Sequence, residues 1–207
     1  MNKRKQVLVG YKLLFALLGF AAIITEAATL FERGTLDIVN FLSFFTIQNN
    51  IFVVIALLLS AVVTASGKKS RALDLFRGFT TVFIIVVSVG FALLLAGLQG
   101  VALTAVPWDN TVLHYIIPIA VLVDFLIDRP TAKFSFKKNL SWLLYPAAYF
   151  LYTMVRGAIT GWYPYPFLNP AKNSIADMSI TIVALFVLGI VLIWLVGLLA
   201  NRKLRKP

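Results

Sequence analysis

Long runs of apolar residues, separated by short polar stretches, dominate this chain. Six runs are long enough to cross a bilayer as helices, since about 20 apolar residues span its hydrocarbon core. The predicted helices are 7–30, 41–65, 79–98, 111–127, 140–160 and 178–200. The pattern predicts an all-α integral membrane bundle of six transmembrane helices, with residues 1–207 forming a single domain.

The composition and the distribution of charge support this topology. The chain is 60% hydrophobic with a mean hydropathy of +0.91, whereas a soluble domain of this size needs far more polar surface. Of 19 lysines and arginines, 16 fall in the N-terminal segment, the second and fourth loops or the C-terminal tail. By the positive-inside rule both termini are cytoplasmic, and we expect a multi-pass protein of the cell membrane.

The same distribution defines the expected partners. It explains the net charge of +11 by topology and by attraction to anionic lipid headgroups, so a nucleic-acid partner has little support. The absence of cysteine and the single histidine exclude disulfides, thiol chemistry and thiolate or His-rich metal ligation. We expect membrane lipids as partners, and neither a metal nor a cofactor.

Polar residues cluster at the start of the second predicted helix, in the stretch FLSFFTIQNN. In hydrocarbon an unpartnered hydroxyl or amide is costly, so such a cluster either joins neighbouring helices or forms a site. On one helix, four of these residues would share a stripe: Ser43, Thr46, Asn49 and Asn50.

Depth in the bilayer connects this cluster to other predicted helices. At a rise of about 1.5 Å per residue, four groups lie roughly 5 to 9 Å inside the outer ends of their helices. These groups are Glu26, Thr46, His114 and Arg156. Charged groups within a membrane normally face the bundle interior and pair, so we expect these side chains to share one buried layer. Asp124, about 15 Å deeper than His114, is too distant to orient its ring.

This layer permits acyl-ester hydrolysis. A threonine hydroxyl needs an adjacent base to act as a nucleophile, and His114 is the only histidine, so Thr46 and His114 form a candidate nucleophile–base pair. Glu26 could orient the imidazole or pair with Arg156. Candidate groups to bind the substrate or its oxyanion are Asn49, Asn50, Arg156 and Glu26.

Each of these residues also has an ordinary structural interpretation. Thr46 could be a helix-packing hydroxyl, and His114 could bond a backbone carbonyl. Asn49 and Asn50 could join helices, and Glu26 with Arg156 could be a structural ion pair. The aromatic residues of the loop GWYPYPFLNP suit a membrane interface.

Three motifs resemble the androgen-induced membrane protein family, particularly its bacterial six-helix branch, and the resemblance covers nearly the whole chain. The motifs are FFTIQNN, LHYIIP followed by Asp124, and RGAITGWYPYPFLNP. Eukaryotic members are intramembrane hydrolases of fatty acid esters of hydroxy fatty acids, using a threonine and a histidine. The resemblance implies Thr46 as nucleophile and His114 as base. The family's Leu-Thr-Phe context also matches Leu42-Ser43-Phe44, which makes Ser43 a rival nucleophile.

The leading hypothesis is therefore an intramembrane lipid-ester hydrolase of the serine/threonine type, whose acyl-lipid substrate enters from the bilayer. The alternative is a non-enzymatic transporter or binding protein for lipids or small molecules, using the same layer as a polar site. A purely structural membrane partner is the third possibility, and it predicts no central polar cavity.

Overall fold

The computed structural model of the protein describes residues 2–98 and 104–202, and within these ranges the chain is helical without strands. Its α-helices are α1 (Lys3–Glu32), α2 (Ile38–Leu42), α3 (Phe45–Ser66), α4 (Arg71–Leu94), α5 (Pro107–Thr111), α6 (Ile117–Ile127), α7 (Phe136–Asn139), α8 (Leu144–Thr160) and α9 (Ile175–Asn201). A π-helical turn, Val112–Ile116, joins α5 to α6. Short 3₁₀ turns are Leu140–Leu143 and Pro166–Leu168.

The architecture is that of a helical membrane bundle. Within the described ranges, five helical stretches are long and apolar enough to cross a membrane: Lys3–Glu32, Phe45–Ser66, Arg71–Leu94, Pro107–Ile127 and Ile175–Asn201. The predicted span 140–160 forms two consecutive helical pieces instead of one, a 3₁₀ turn followed by α8, and the short helix α7 directly precedes it. Pro146 lies in the first turn of α8, where its missing N–H costs the helix little.

Two element boundaries differ from the predicted ones in ways that matter for function. The helix α4 begins eight residues before the predicted 79, because Ser70 caps it by accepting a hydrogen bond from the Leu73 backbone N–H at 3.3 Å. The second predicted helix is broken between α2 and α3, so Ser43 lies outside the helix that carries Thr46. The prediction that Ser43 shares a helical stripe with Thr46, Asn49 and Asn50 is therefore wrong.

The core consists of apolar side chains shared between neighbouring helices. The helix α1 packs along α3, α3 along α4, and α4 along α9. At Gly19 the approach is close, since a Cβ there would lie 3.3 Å from the Val54 side chain. A second cluster, centred on Phe83, Phe125 and Ile193, joins α4, α6 and α9. Large apolar side chains cover the exterior, as expected for helices that face lipid.

The bundle has two chemically different ends. At one end α1 begins and α6 ends, with the Arg4 guanidinium 3.4 Å from the Ile127 carbonyl oxygen. The end of α9 lies there too, since the Asn201 side chain accepts from the Phe134 backbone N–H at 3.0 Å. We call this the basic end. The opposite end, where α3, α5 and α9 begin, carries Thr46 and is called the Thr46 end.

A buried ion-pair network lies toward the basic end. Lys12 is fully buried, contacts the Asp124 carboxylate and lies 2.9 Å from Asp128 Oδ2. Arg77 lies 2.7 Å from the other Asp124 oxygen. Arg77 also lies 3.9 Å from an Asp74 oxygen, so both buried cations are paired with carboxylates, as buried charges require. Lys12 and Arg77 are among the 16 residues that the charge count assigned to the cytoplasmic face, but both are buried and ion-paired.

Candidate active site

Thr46 is the second residue of α3, just after the break that follows α2. The first N–H groups of a helix have no partner within the helix. The Thr46 N–H finds one outside, donating to the Tyr165 hydroxyl at 3.1 Å. The Thr46 side chain is buried, and its hydroxyl lies at the positive end of the α3 dipole, an environment that favours negative charge.

The Thr46 hydroxyl oxygen lies 3.3 Å from His114 Nε2. The other ring nitrogen, Nδ1, lies 3.0 Å from the Asn110 carbonyl oxygen. Because a carbonyl oxygen only accepts, the hydrogen-bond network assigns the proton to Nδ1 and leaves the Nε2 lone pair facing Thr46. This is the tautomer that a general base for the threonine needs.

The π-helical turn holds the imidazole in this position. His114 is the middle residue of the turn, a rare helix type that often occurs at functional sites. The Phe91 ring of α4 stacks on the imidazole, with centroids 3.9 Å apart and planes inclined by 22°. His114 is 4% exposed, so its position is fixed by packing as well as by the Asn110 hydrogen bond.

Tyr165 completes the group around Thr46, although no sequence pattern distinguishes it from the other aromatic residues of its loop. Its hydroxyl lies 3.3 Å from the Thr46 hydroxyl, and its ring stacks on Phe167 at a centroid distance of 5.3 Å. Burial raises the pKa of the Tyr165 hydroxyl, so it remains a protonated donor at neutral pH. The feature of the sequence that could have indicated Tyr165 is its loop, GWYPYPFLNP, in which it is one of several aromatic residues.

The amide N–H groups of the two candidate asparagines donate hydrogen bonds within α3 and to neighbouring elements. Asn50 donates to the Thr46 carbonyl at 2.9 Å and to the Leu113 carbonyl at 3.4 Å, which links α3 to the π-helical turn. Asn49 donates to the Phe45 carbonyl at 2.7 Å and to the Tyr145 hydroxyl at 3.1 Å. Both amides therefore join helices, which is the structural interpretation of these asparagines rather than the substrate-binding one.

Glu26 reaches the same region from α1. Its carboxylate accepts the Ala105 backbone N–H, with oxygens 2.9 and 2.8 Å away. It lines one cavity together with Thr46 and His114, yet the imidazole is oriented by the Asn110 carbonyl. The structure thus places Glu26 at the wall of the site.

Arg156 and Ser43 lie apart from this group. The Arg156 guanidinium donates to the Asn40 side chain at 2.6 Å and lies 4.7 Å above the Trp162 ring. The predicted ion pair with Glu26 does not form among the residues that the structure describes.

The Ser43 hydroxyl is engaged in two other hydrogen bonds. It donates to the Val39 carbonyl at 2.6 Å and lies 2.7 Å from the Tyr152 hydroxyl. It therefore lacks the imidazole contact that Thr46 has.

Two cavities meet at Thr46. One chamber, of about 280 Å³, has mostly apolar walls but includes Glu26, Arg33, Thr46 and His114, and we call it the polar chamber. An apolar chamber of about 100 Å³ is lined mainly by side chains of α4, α8 and α9. The residues that border both are Thr46, Phe91, Leu95 and Tyr165. Thr46 thus lies at the boundary between a chamber with polar groups and a purely hydrophobic one.

In residues 2–98 and 104–202, no group of three or more His, Cys, Asp or Glu residues could hold a metal ion. Comparisons of the chain with protein-family models, with curated proteins and with solved structures find no match.

Proposed function

We propose that this protein is an intramembrane lipid-ester hydrolase with a Thr46 nucleophile and a His114 base. The observation that carries the proposal is the 3.3 Å contact between Thr46 Oγ1 and an unprotonated His114 Nε2, at the border of the polar and apolar chambers. The proposal includes six membrane spans with both termini in the cytoplasm, so the Thr46 end would face outward.

The reaction follows from these two groups. Thr46 Oγ1 attacks the ester carbonyl carbon while its proton moves to His114 Nε2. The tetrahedral intermediate then expels the alcohol, which takes the proton back from His114 and leaves an acyl-threonine. Water attacks the acyl carbon with His114 again acting as base, and the carboxylic acid leaves from regenerated Thr46.

The developing oxyanion requires donors, and we assign this role to Tyr165 together with the start of α3. The Tyr165 hydroxyl is 3.3 Å from the Thr46 oxygen, within reach of a carbonyl oxygen bonded to the attacked carbon. The positive end of the α3 dipole stabilises the same charge. This assignment replaces Asn49 and Asn50, whose amide N–H groups donate to other acceptors. It also replaces Arg156, because that side chain donates to Asn40 and borders neither chamber.

The two chambers define the substrate class. The apolar chamber, whose lining includes Phe83, Phe150 and Leu185, matches the methylenes of an acyl chain next to the ester carbonyl. The polar chamber would hold the oxygen-bearing part of the ester and supply water. A lipid ester satisfies both requirements and could reach the apolar chamber directly from the bilayer.

Turnover of a branched fatty-acid ester by purified protein in detergent tests the proposal. We expect Thr46→Ala and His114→Gln each to lose at least about a thousandfold in kcat, because a nucleophile and its base act as one unit. Thr80→Ala is the matched control, since Thr80 is also a buried helical threonine but donates to the Arg77 carbonyl, toward the basic end. Unchanged turnover in both site variants, with all proteins folded, would refute the assignment.

The alternative, a lipid-binding protein without chemistry, would use the same chambers. Lipid recovered intact after prolonged incubation with wild-type protein would favour it. Transport is less well supported, because none of Lys12, Arg77, Asp124 or Asp128 borders either chamber. Within the described residues, the chambers therefore provide no polar route past the ion-pair network toward the basic end.

A further inference from the structure

The basic end contains a third cavity, of about 330 Å³, which the proposed ester chemistry does not use. Its volume falls in the range of roughly 300 to 1,000 Å³ that is typical of small-molecule sites. We call it the basic pocket, after its six cationic lining residues: Arg4, Lys5, Lys68, Lys69, Arg77 and Arg129. They come from α1, the α3–α4 loop, α4 and the segment after α6.

The acidic residues of the basic pocket are already satisfied by other groups. One Asp74 oxygen accepts from the Thr131 N–H at 2.7 Å, the Thr131 hydroxyl at 3.0 Å and the Ala132 N–H at 2.9 Å. The Asp128 carboxylate lies 2.9 Å from the Lys12 ammonium. These two carboxylates therefore leave most of the pocket's positive charge uncompensated.

Four cations of the pocket have no acidic partners of their own. Within residues 2–98 and 104–202, Arg4, Lys5, Lys68 and Lys69 form no ion pair. The Lys5 ammonium reaches the α3–α4 loop that carries Lys68 and Lys69, since a Cβ on Gly67 would lie only 2.9 Å from it. A cluster of like charges around a cavity raises the local potential and favours a multiply charged anion.

Two further donors point to an anion with several oxygens. Arg77 is 6% exposed, and its Nε is buried without a hydrogen-bond partner in the described chain. Ser70, which caps the 24-residue helix α4, also lines the pocket, so the first N–H groups of α4 lie at its wall. Guanidinium groups and helix N-termini are the donors that phosphate oxygens prefer.

We propose that the basic pocket binds the phosphate headgroup of an anionic phospholipid. The lining includes Leu8, Val63 and Leu73 beside the cations, so an apolar chain attached to the phosphate would find matching surface. The pocket also lies where α3 ends and α4 begins, the level at which a bilayer presents its headgroups. A phospholipid has both a phosphate for the cations and an apolar chain for the apolar part of the lining, whereas free phosphate has no apolar chain.

The test uses the full-length protein in a neutral detergent, titrated with short-chain phosphatidic acid, phosphatidylcholine or inorganic phosphate. The readout is lipid-bound protein by native mass spectrometry together with the unfolding temperature. We expect phosphatidic acid to bind and stabilise, with an apparent affinity at least about tenfold lower in Lys68→Gln/Lys69→Gln. Lys137→Gln/Lys138→Gln removes the same charge from exposed lysines at the same end that do not line the pocket, and should bind like wild type.

The remaining outcomes overturn the proposal. Equal losses in both double variants would mean that general surface charge attracts the lipid. Equal binding of phosphatidylcholine would mean that the anionic headgroup is not recognised. Stabilisation by inorganic phosphate at the same concentrations as phosphatidic acid would assign the pocket to a soluble anion. None of these readouts involves ester turnover, so the result is independent of the proposed hydrolase activity.

Discussion

The Tyr165 hydroxyl lies 3.1 Å from the backbone nitrogen of Thr46 and 3.3 Å from its side-chain oxygen. A loop residue between α8 and α9 therefore contacts the proposed nucleophile twice. One contact satisfies an N–H group at the start of α3, and the other places a donor where an oxyanion would form.

Tyr165→Phe is expected to lower kcat for ester hydrolysis by about 100-fold, the typical loss when one oxyanion donor is removed. KM should change less, because the ring and its stacking on Phe167 remain. Tyr163→Phe, which makes the same change two residues earlier in the loop, should retain activity. Equal kcat values in Tyr165→Phe and wild type would remove Tyr165 from the mechanism.

Gly157→Ala is expected to reduce ester turnover indirectly, by displacing the loop that carries Tyr165. A Cβ at Gly157 would overlap the Tyr163 ring, so the ring and the neighbouring Tyr165 must shift. A displacement of about 1 Å at a reacting group can cost roughly 100-fold in rate. Gly10→Ala is the control, because nothing lies within 4 Å of a Cβ there. Normal kcat in Gly157→Ala would show that the loop tolerates the displacement.

Lys12→Met should destabilise the protein strongly. Removing one partner of a buried ion pair typically costs about 3 to 5 kcal/mol, since Asp124 would keep a buried charge with less compensation. The exposed Lys3→Met, in the same helix, should have little effect. The double variant Lys12→Met/Asp124→Asn should recover part of the loss, because it removes one negative charge together with the positive one, and Arg77 keeps Asp74 and Asp128 as partners.

The unfolding temperatures of these three variants in detergent provide the check. A Lys12→Met protein as stable as Lys3→Met would mean that the network contributes no stability. Failure of the double variant to recover would mean that Lys12 acts through packing rather than charge.

The ion pairs of Asp128 should make the stability of the protein sensitive to acid. Burial acts to raise the pKa of Asp128, but the Lys12 and Arg77 charges outweigh it and hold the pKa below its ordinary value. A depressed carboxyl pKa contributes stability above the unfolded-state value of about 3.9 and loses it as the pH falls through the folded value. Unfolding temperatures measured from about pH 6 to pH 3 should therefore fall more steeply in wild type than in Asp128→Asn. Parallel curves would contradict the assignment.

The apolar runs predicted the helical bundle because bilayer thickness imposes a minimum length on each span. They did not predict the break between α2 and α3, since no glycine or proline marks it. Hydropathy also failed to show that Lys12 and Arg77 are buried. Their pairing with Asp124 joins positions 112 and 47 residues apart, a relation that local patterns do not contain.

The site shows what depth along a helix can and cannot predict. Depth placed Thr46 and His114 in one layer, and the structure brings them together. Arg156 has a similar predicted depth, yet its guanidinium binds Asn40, because contact also depends on the rotation of each helix about its axis. The group that orients His114 is the backbone carbonyl of Asn110, which residue type does not reveal.

The most direct test of the central claim is to identify the residue that becomes covalently modified. A fluorophosphonate probe is incubated with wild-type protein and with His114→Gln, and the adduct is located by peptide mass spectrometry. We predict a His114-dependent adduct on Thr46, with Ser43→Ala labelled as efficiently as wild type. An adduct on Ser43, or labelling of Thr46 that persists without His114, would contradict the account.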